Sequence, residues 1–504
     1  MIKQNLHMFV MAAPLLCAFA VNLLGRLSRA WVAPLVLGAL GFSTYGAIFV
    51  LQEVLTNGSF RYVVGNWTAP YGIELALDPL SAMMLLLVSG VSLLAAISAL
   101  KSVAQELPGR EHFFFTLFLI MIAGLNGLVM TADAFNLYVL LEITSITTYG
   151  LIGMGQGRAP LSSFNYIIMG SIGACFYLLG VGYIYILTGS LNMADIASIL
   201  HGLQGGQVAT ATAFAFMMVG LWVKMAFFPL HGWLPNAYSH APSGAGVMIA
   251  PLMTKVTIYL MIRVMFSIFS PEFEFVRHAG VQNLIVWVAA AAIICASLLA
   301  FSQRDLKRML TYIIVAEVGY MVGGVWLRKL KINRAGLSGA ILHIVNDALM
   351  TLCLFLAASA IAYRTGGLSF DHLRGLYRKM PITMAAFTIG AFSMIGVPPT
   401  CGFFSKWYLI LGGAEAGHWE FVAALVLSSL VNAILFFRII EIAFFPSEEG
   451  GGHGHHGHEE VKVQEAPWML LNPLVLTAVL LIVVGLNSGT IVNGVIRVVL
   501  PQLF

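Results

Sequence analysis

The sequence predicts an all-α polytopic membrane protein of about fourteen transmembrane helices, arranged as two inverted five-helix repeats in which helices 7 and 12 are broken. Three observations carry this. Of the 504 residues, 59% are hydrophobic and only 10% charged, where a soluble domain carries roughly 25% charged residues. Apolar runs of the ~20 residues needed to cross hydrocarbon recur from end to end. Two of the runs are interrupted by prolines, at Pro229 and Pro235 in FFPLHGWLP and at Pro398 and Pro399 in GVPPTCG, each with a lysine nearby.

Composition also excludes function classes. A net charge of +4, with no basic tail, argues against nucleic acid. The five cysteines (Cys17, Cys175, Cys295, Cys353, Cys401) lie in or beside apolar segments without CxxC spacing. They suit small buried hydrophobes, not a disulfide framework or an iron–sulfur site. There is no GxGxxG after a strand and no haem pattern, so neither cofactor nor metal is expected on this chain. The 50 glycines suit helices that pack closely in lipid.

The elements follow in order. The opening MIKQNLHMFVMAAPLLCAFAVNLLG has no small-residue cleavage site and is followed at once by another span, so it reads as a first transmembrane helix and not a signal peptide. Residues 1–112 hold spans one to three (8–25, 31–52, 79–100). Residues 113–267 form the first repeat (113–131, 134–154, 164–188, 209–229, 242–267). Residues 280–442 form the inverted second repeat (280–301, 309–326, 336–362, 382–412, 419–442). A His/Glu/Gly-rich loop covers 443–467. Residues 468–504 give span fourteen (468–487) and an apolar tail read as a short or lateral helix. Inversion is suggested by the breaks, because Lys224 precedes Pro229 whereas Lys406 follows Pro399, five spans later. Placing the N-terminus outside puts the larger share of Lys and Arg inside, among them Arg26, Arg29, Arg304, Lys307 and Arg308; the stretch Arg328–Arg334 votes the other way. The expected location is a cell (inner or plasma) membrane.

An ionised side chain at the bilayer centre costs at least ~2.5–3.5 kcal/mol and is rarely kept without a function. Glu142, Lys224, Lys255 and Lys406 all stand in or beside such runs. A carboxylate beside a buried lysine controls whether that lysine is loaded, so Glu142 with Lys224 reads as a proton switch; the competing reading is a static ion pair. Lys255 follows as a central relay, against the alternative of a snorkelling lysine. His231, at the first break, can titrate near neutral pH. In LHIVNDALMT, His343 and Asp347 are four apart on one helix face, and Glu317 adds an intramembrane acid one span earlier. These eight residues are the expected proton-transfer set. The tract His453, His455, His456, His458 can bind metal, but reads better as a solvated loop.

The segments LDPLSA (77–82), FNLYVLLEITSITTYGLIG (135–153), KMAFFPLHGWLPNAYSHAPSGAGVMIAPLMTKVTIYLMIR (224–263) and GVPPTCGFFSKW (396–407) resemble the antiporter-like proton-translocating membrane subunits. That family includes complex I membrane subunits, membrane-bound hydrogenase subunits and, most similar here, the D subunits of Mrp-type Na+/H+ antiporters. The resemblance implies fourteen helices with two inverted repeats, Glu142 and Lys224 as a coupled pair, Lys255 as central relay and Lys406 on the second broken helix. The sequence departs from the family in both halves. Asp347 stands where a histidine is common and Thr351 where the relay lysine is usual, while Glu317 and Asn165 also differ. Either His343, Asp347 and Glu317 take over in the second half with a different charge balance, or transfer there is altered.

The expected function is a proton-translocating subunit of a multi-subunit membrane complex, moving H+ with Na+ as a candidate exchange ion. Its partners are other membrane subunits of that complex and the lipid bilayer. The alternative is the pumping subunit of a redox complex of the NADH:quinone oxidoreductase or membrane-bound hydrogenase type, with catalysis on other chains. A solute symporter is disfavoured by linked charges on several spans, and a passive scaffold would explain the lysine missing at 351.

Overall fold

The computed structural model describes residues 5–202, 207–269, 273, 279–328, 333–445 and 464–499. The helices are α1 (Leu6–Leu27), α2 (Val32–Asn57), α3 (Pro79–Glu106), α4 (Glu111–Met130), α5 (Ala134–Gly153), α6 (Ala159–Thr188), α7 (Met193–Gly202), α8 (Gln207–Lys224), α9 (Leu234–His240) and α10 (Ser243–Arg263). They continue as α11 (Ala279–Phe301), α12 (Leu306–Trp326), α13 (Arg334–Thr365), α14 (Pro381–Ile395), α15 (Cys401–Ala416), α16 (Trp419–Phe444) and α17 (Trp468–Leu486). Among the described residues, twelve helices are long and apolar enough to cross a membrane; Val208–Lys224 and Pro381–Ile395, at the two breaks, are shorter.

Polar residues set the helix starts. Asp78 accepts from the Ser81 amide and Ser81 reciprocates on the Asp78 amide, a capping box with Pro79 in the first turn of α3. Asp133, Asp305 and Asn333 accept amide hydrogens at the starts of α5, α12 and α13. Close backbone approach brings α8 against α6: a Cβ on Gly220 would stand 2.6 Å from the Gly173 carbonyl oxygen.

Burial orders the bundle. The whole spanning windows of α10 and α13 are buried, and 94% of that of α12, against 28% for α1 and 39% for α6. The centre is thus built from α10, α12 and α13, with apolar side chains of α1, α2, α6 and α16 turned outward. α3 packs on both α10 and α13. Successive helices alternate direction, so loops gather on two faces: one where α1 begins, and an opposite one where α3 ends and α10 and α12 begin.

Both proline clusters interrupt helices. After Lys224 the chain leaves helical geometry until Leu234, and Trp233 closes the gap by donating its indole NH to Val223 O at 3.0 Å and stacking on Tyr166 at 3.8 Å. α14 ends on Gly396 at φ 97° and α15 starts at Cys401. Asn346 of α13 donates to Cys401 O at 2.7 Å, which ties the second break to the buried centre.

Some features lie outside the sequence reading. An antiparallel hairpin pairs Phe60–Val63 with Glu74–Leu77, and α7 is a ten-residue helix at the same face. Both are too short to register as spans. The tail resolves into short helical turns over Ser488–Val499 that pack back on α3 and α13, the short-helix alternative. The His-rich tract 453–458 lies outside the described residues.

Candidate functional site

Seven of the eight expected proton-transfer residues fall into three clusters, each between different helices. In the first, the α8 break leaves Lys224 as the last helical residue, pointing at α5. Its Nζ donates to Glu142 Oε1 at 2.7 Å and to Ser145 Oγ at 2.9 Å. Glu142 and Ser145 are three residues apart and share a helix face. Lys224 is buried, whereas the Glu142 side chain is 23% exposed. The couple is therefore reached from outside the chain through its acid.

In the second cluster, Lys255 of α10 meets α13. Asp347 Oδ2 lies 2.9 Å from Lys255 Nζ, and both side chains have no exposure at all. The approach is an ion pair off the ideal hydrogen-bond directions, which go to Ala250 O at 3.2 Å and Thr351 Oγ1 at 3.4 Å. Thr351 in turn donates to Asp347 Oδ1 at 2.9 Å. The residue that replaces the usual lysine thus bridges the pair. A buried charge without a partner is costly, and here each supplies the other's.

In the third cluster, Glu317 of α12 serves two bases. Its Oε2 pairs with His343 Nε2 of α13, and its Oε1 is 3.8 Å from Lys406 Nζ of α15. His343 Nδ1 meets Ser405 Oγ at 2.8 Å. Lys406 donates to Met394 O, freed by the break, at 2.7 Å, and sits 5.0 Å above the Tyr320 ring, a cation–π distance. Tyr320 is fixed by its hydroxyl, which donates to Ser428 at 2.7 Å.

Of the eight expected residues, seven are gathered into these clusters. His231 is not. It stacks on Phe228 at 5.2 Å, and its Nδ1 has no hydrogen-bond partner among the described residues. The pairing expected from the four-residue spacing of His343 and Asp347 is corrected: His343 turns to Glu317 and Asp347 to Lys255. Each found an opposite charge on another helix at closer range than along its own. Ser145, Ser405 and Tyr320 were missed, although Ser145 and Tyr320 each stand three residues after a singled-out glutamate. Lys307, read as a loop cation, is also buried, because Asp305 caps α12 two residues before it. Among the described residues no group of three or more His, Cys, Asp or Glu is placed to hold a metal ion.

A bundle with interrupted helices and a row of buried lysine–acid contacts defines a class of membrane ion-translocating subunit, and the chain belongs to the NADH:quinone oxidoreductase/Mrp antiporter transmembrane family, whose profile matches residues 131–432. It is 41% identical over 508 residues to NADH-quinone oxidoreductase subunit N of Desulforudis audaxviator, covering 99% of each chain. It is 32% identical to the Na(+)/H(+) antiporter D subunit of Alkalihalophilus pseudofirmus, covering 90% of this chain and 88% of that one. A chain of the membrane-bound sulfane sulfur reductase, an archaeal respiratory membrane complex, superposes with TM-score 0.88 at 29% identity, covering 98% of this chain and 97% of that one. The chain is thus an antiporter-like membrane subunit, and its relatives work inside multi-subunit complexes.

Proposed function

We propose that this chain moves protons across a plasma membrane, N-terminus outside, by passing charge along Glu142, Lys224, Lys255, Asp347, Glu317, His343 and Lys406. The observation that carries this is the series of three buried lysine–acid contacts, each on different helices and two of them beside helix breaks. When Glu142 is protonated, Lys224 loses its counter-charge and releases its proton inward. Lys255 and Asp347 join the halves. Glu317 chooses between His343 and Lys406, since one carboxylate in a low-dielectric site neutralises one cation. Counting each broken pair, α8 with α9 and α14 with α15, as one crossing gives fourteen. We read 113–267 and 280–442 as inverted repeats flanked by 1–112 and 468–504. His231 lies off this route and would act only at the mouth of the first break.

Two hosts fit this reading. In an Mrp-type antiporter, H+ would exchange for Na+, as the antiporter relative's name indicates for that protein. In a redox complex the chain would be a pump arm with catalysis on other subunits, and the 41% identity to a quinone oxidoreductase relative supports this equally. Mass spectrometry of the complex purified through a tag on this chain separates them. Copurifying iron–sulfur or flavin subunits favour the redox host, and small membrane partners alone favour the antiporter. In vesicles holding that complex, Lys224→Ala abolishes proton movement; wild-type rates in the variant would refute the proposed switch.

A further inference from the structure

Two arginines on the face where α1 begins belong to none of the three clusters. Arg334 opens α13, and Arg497 lies in the tail turns that pack back on α3 and α13. Arg334 is part of the basic stretch that runs against the charge bias of the other loops. Both arginines are exposed. None of the ion pairs among the described residues includes either of them, or Glu415 near the end of α15. All three nevertheless line one groove of about 400 Å³, a volume within the range of small-ligand sites.

Helix spacing builds its walls. Arg334 and Ser338 stand one turn apart on α13, and Tyr408, Leu411 and Glu415 follow at three and four residues on α15. The floor is tight: a Cβ on Gly412 would stand 2.4 Å from the Gly336 nitrogen. Asn333 donates to Gly412 O at 3.0 Å and accepts the Gly336 amide at 2.8 Å. It thereby caps α13 but leaves the amides of Arg334 and Ala335 without acceptors among the described residues, at a helix start that favours anions. Ser338 is only 3% exposed, turns that exposure into the groove and makes no hydrogen bond among the described residues.

Two guanidiniums, the first-turn amides and the Ser338 and Tyr408 hydroxyls suit a phosphate. Glu415 does not, and beside a phosphate it calls for a cation of its own. A ligand carrying one phosphate and one ammonium satisfies both. The groove also leads onto an apolar stripe of α15. Leu411 is 40% exposed and Trp407, one turn deeper on the same face, 56%; Phe403 stacks on Trp407 at 6.2 Å a further turn in. A soluble metabolite has no use for a stripe running from a charged head into a spanning segment, whereas an acyl chain does. We propose that this groove is a phosphatidylethanolamine site, with Arg334 and Arg497 on the phosphate, Glu415 on the ammonium and one acyl chain along Leu411, Trp407 and Phe403. Occupied, it ties the end of α15, the second half of a broken crossing, to α13. Such binding involves no proton transfer and does not depend on the proposed function.

The test is native mass spectrometry of the purified complex, delipidated in detergent and then given phosphatidylethanolamine or phosphatidylcholine of one acyl composition. The wild-type complex should hold one phosphatidylethanolamine per copy of this chain that the Arg334→Gln, Arg497→Gln double variant binds at least about tenfold more weakly, the least expected of losing a charged hydrogen bond. Phosphatidylcholine, whose ammonium carries methyls in place of hydrogens, should bind about tenfold more weakly than phosphatidylethanolamine, for the same reason. Glu415→Gln should erase that preference while keeping the phosphate contacts. Because both arginines are exposed and outside every ion pair, the double variant should assemble and melt like wild type in lipid-free detergent. Equal lipid retention in wild type and double variant overturns the site. A wild type that does not distinguish the two lipids, or a preference untouched by Glu415→Gln, overturns the ammonium contact and with it the choice of lipid. Uptake of inorganic phosphate without lipid would leave an anion site only, and a map with a partner subunit seated in the groove would make it an interface; either result overturns the proposal.

Discussion

The Lys255–Asp347 pair can be weighed directly. Replacing Asp347 with Asn keeps the shape and the Thr351 hydrogen bond but removes the charge facing Lys255. At 2.9 Å, with an effective dielectric of about 20, the lost attraction is ~6 kcal/mol. Lys255 has a cheaper escape. A lysine of ordinary pKa near 10.4 gives up its proton at pH 7 for ~4.6 kcal/mol, which caps the cost. The expected destabilisation of Asp347→Asn is therefore ~4 kcal/mol, within the ~3–5 kcal/mol typical of halving a buried pair. Lys255→Met strands Asp347 at a similar cost, since protonating an ordinary aspartic acid at pH 7 takes ~4.2 kcal/mol.

The assay is a double-mutant cycle on denaturation of the detergent-solubilised complex. Each single variant leaves a charge alone in the most buried part of the bundle, while the double variant leaves none. The two costs should then fail to add by ~3 kcal/mol or more, at the upper end of couplings seen between touching residues. A coupling below ~0.5 kcal/mol, the scatter of independent sites, would refute the pair. The single variants would then have to act through separate contacts.

Other outcomes follow from the same geometry. Lys224→Arg should assemble normally and keep an ion pair with Glu142 but lose proton movement in vesicles, because a guanidinium does not titrate; retained transport would make the pair a static support. Gly485→Ala should lower the melting temperature of the complex and Gly489→Ala should not, since a Cβ on Gly485 would stand 2.2 Å from Pro399 O at the second break while Gly489 has open space around it. Burial pushes the Asp78 carboxyl up, and the Arg263 charge with the Arg263 and Ser81 hydrogen bonds outweighs it and holds the group below the usual range. Its contribution is thus present above the unfolded pKa and lost only as pH falls through the lower folded value, so wild-type melting attributable to it is flat from pH 8 to 5. In Arg263→Gln the carboxyl loses the charge and hydrogen bond of Arg263 while keeping those of Ser81, so its folded pKa rises, its contribution to stability at neutral pH shrinks, and the melting deficit against wild type should be larger at pH 7 than at about pH 3. Tyr320→Ala should weaken the holding of Lys406 by up to ~2 kcal/mol, while Tyr320→Phe keeps the ring and most of the stability, as read by melting of the two complexes.

What the sequence disclosed was what one helix can disclose. Apolar runs mark spans because hydrocarbon demands length, and Pro229 and Pro399 mark breaks because a ring in mid-helix costs a hydrogen bond. Glu142 and Lys224 stood out because nothing else ionised lies in their own runs, and Lys255 because Arg263, the other charge in its run, is two turns away. Partners are a different matter. His343 and Asp347 share a face, but the opposite charges that hold them arrive on α12 and α10, and no spacing within α13 announces either. Lys307 was misplaced for a related reason. DLKR reads as a basic loop until Asp305 is seen to cap α12, which carries the lysine into the bundle. The Phe60–Val63 hairpin escaped because its strands have four residues each, half exposed, without an apolar run to mark them.

The charge balance of the three clusters has a consequence for how the second half works. Lys224 has Glu142, Lys255 has Asp347 and Lys406 has Glu317, so each lysine can stay charged beside one acid and every cluster is neutral. With a lysine at position 351 the centre would carry an additional cation, and with Thr351 it does not. A proton arriving at the centre is then an excess charge with no permanent holder between Lys255 and Lys406. His343 is the imidazole in contact with one of these acids, Glu317. Its protonation on Nδ1 would turn the Ser405 hydroxyl into an acceptor and occupy Glu317 with an imidazolium, leaving Lys406 bound only by Met394 O and the Tyr320 face. Lys406 would then be the cation that gives up its proton. His343→Gln, which keeps hydrogen bonds to both neighbours but takes no proton, should therefore stop transport without unfolding the cluster. Transport at wild-type rates in that variant would mean that the second half runs through Asp347 and Glu317 alone.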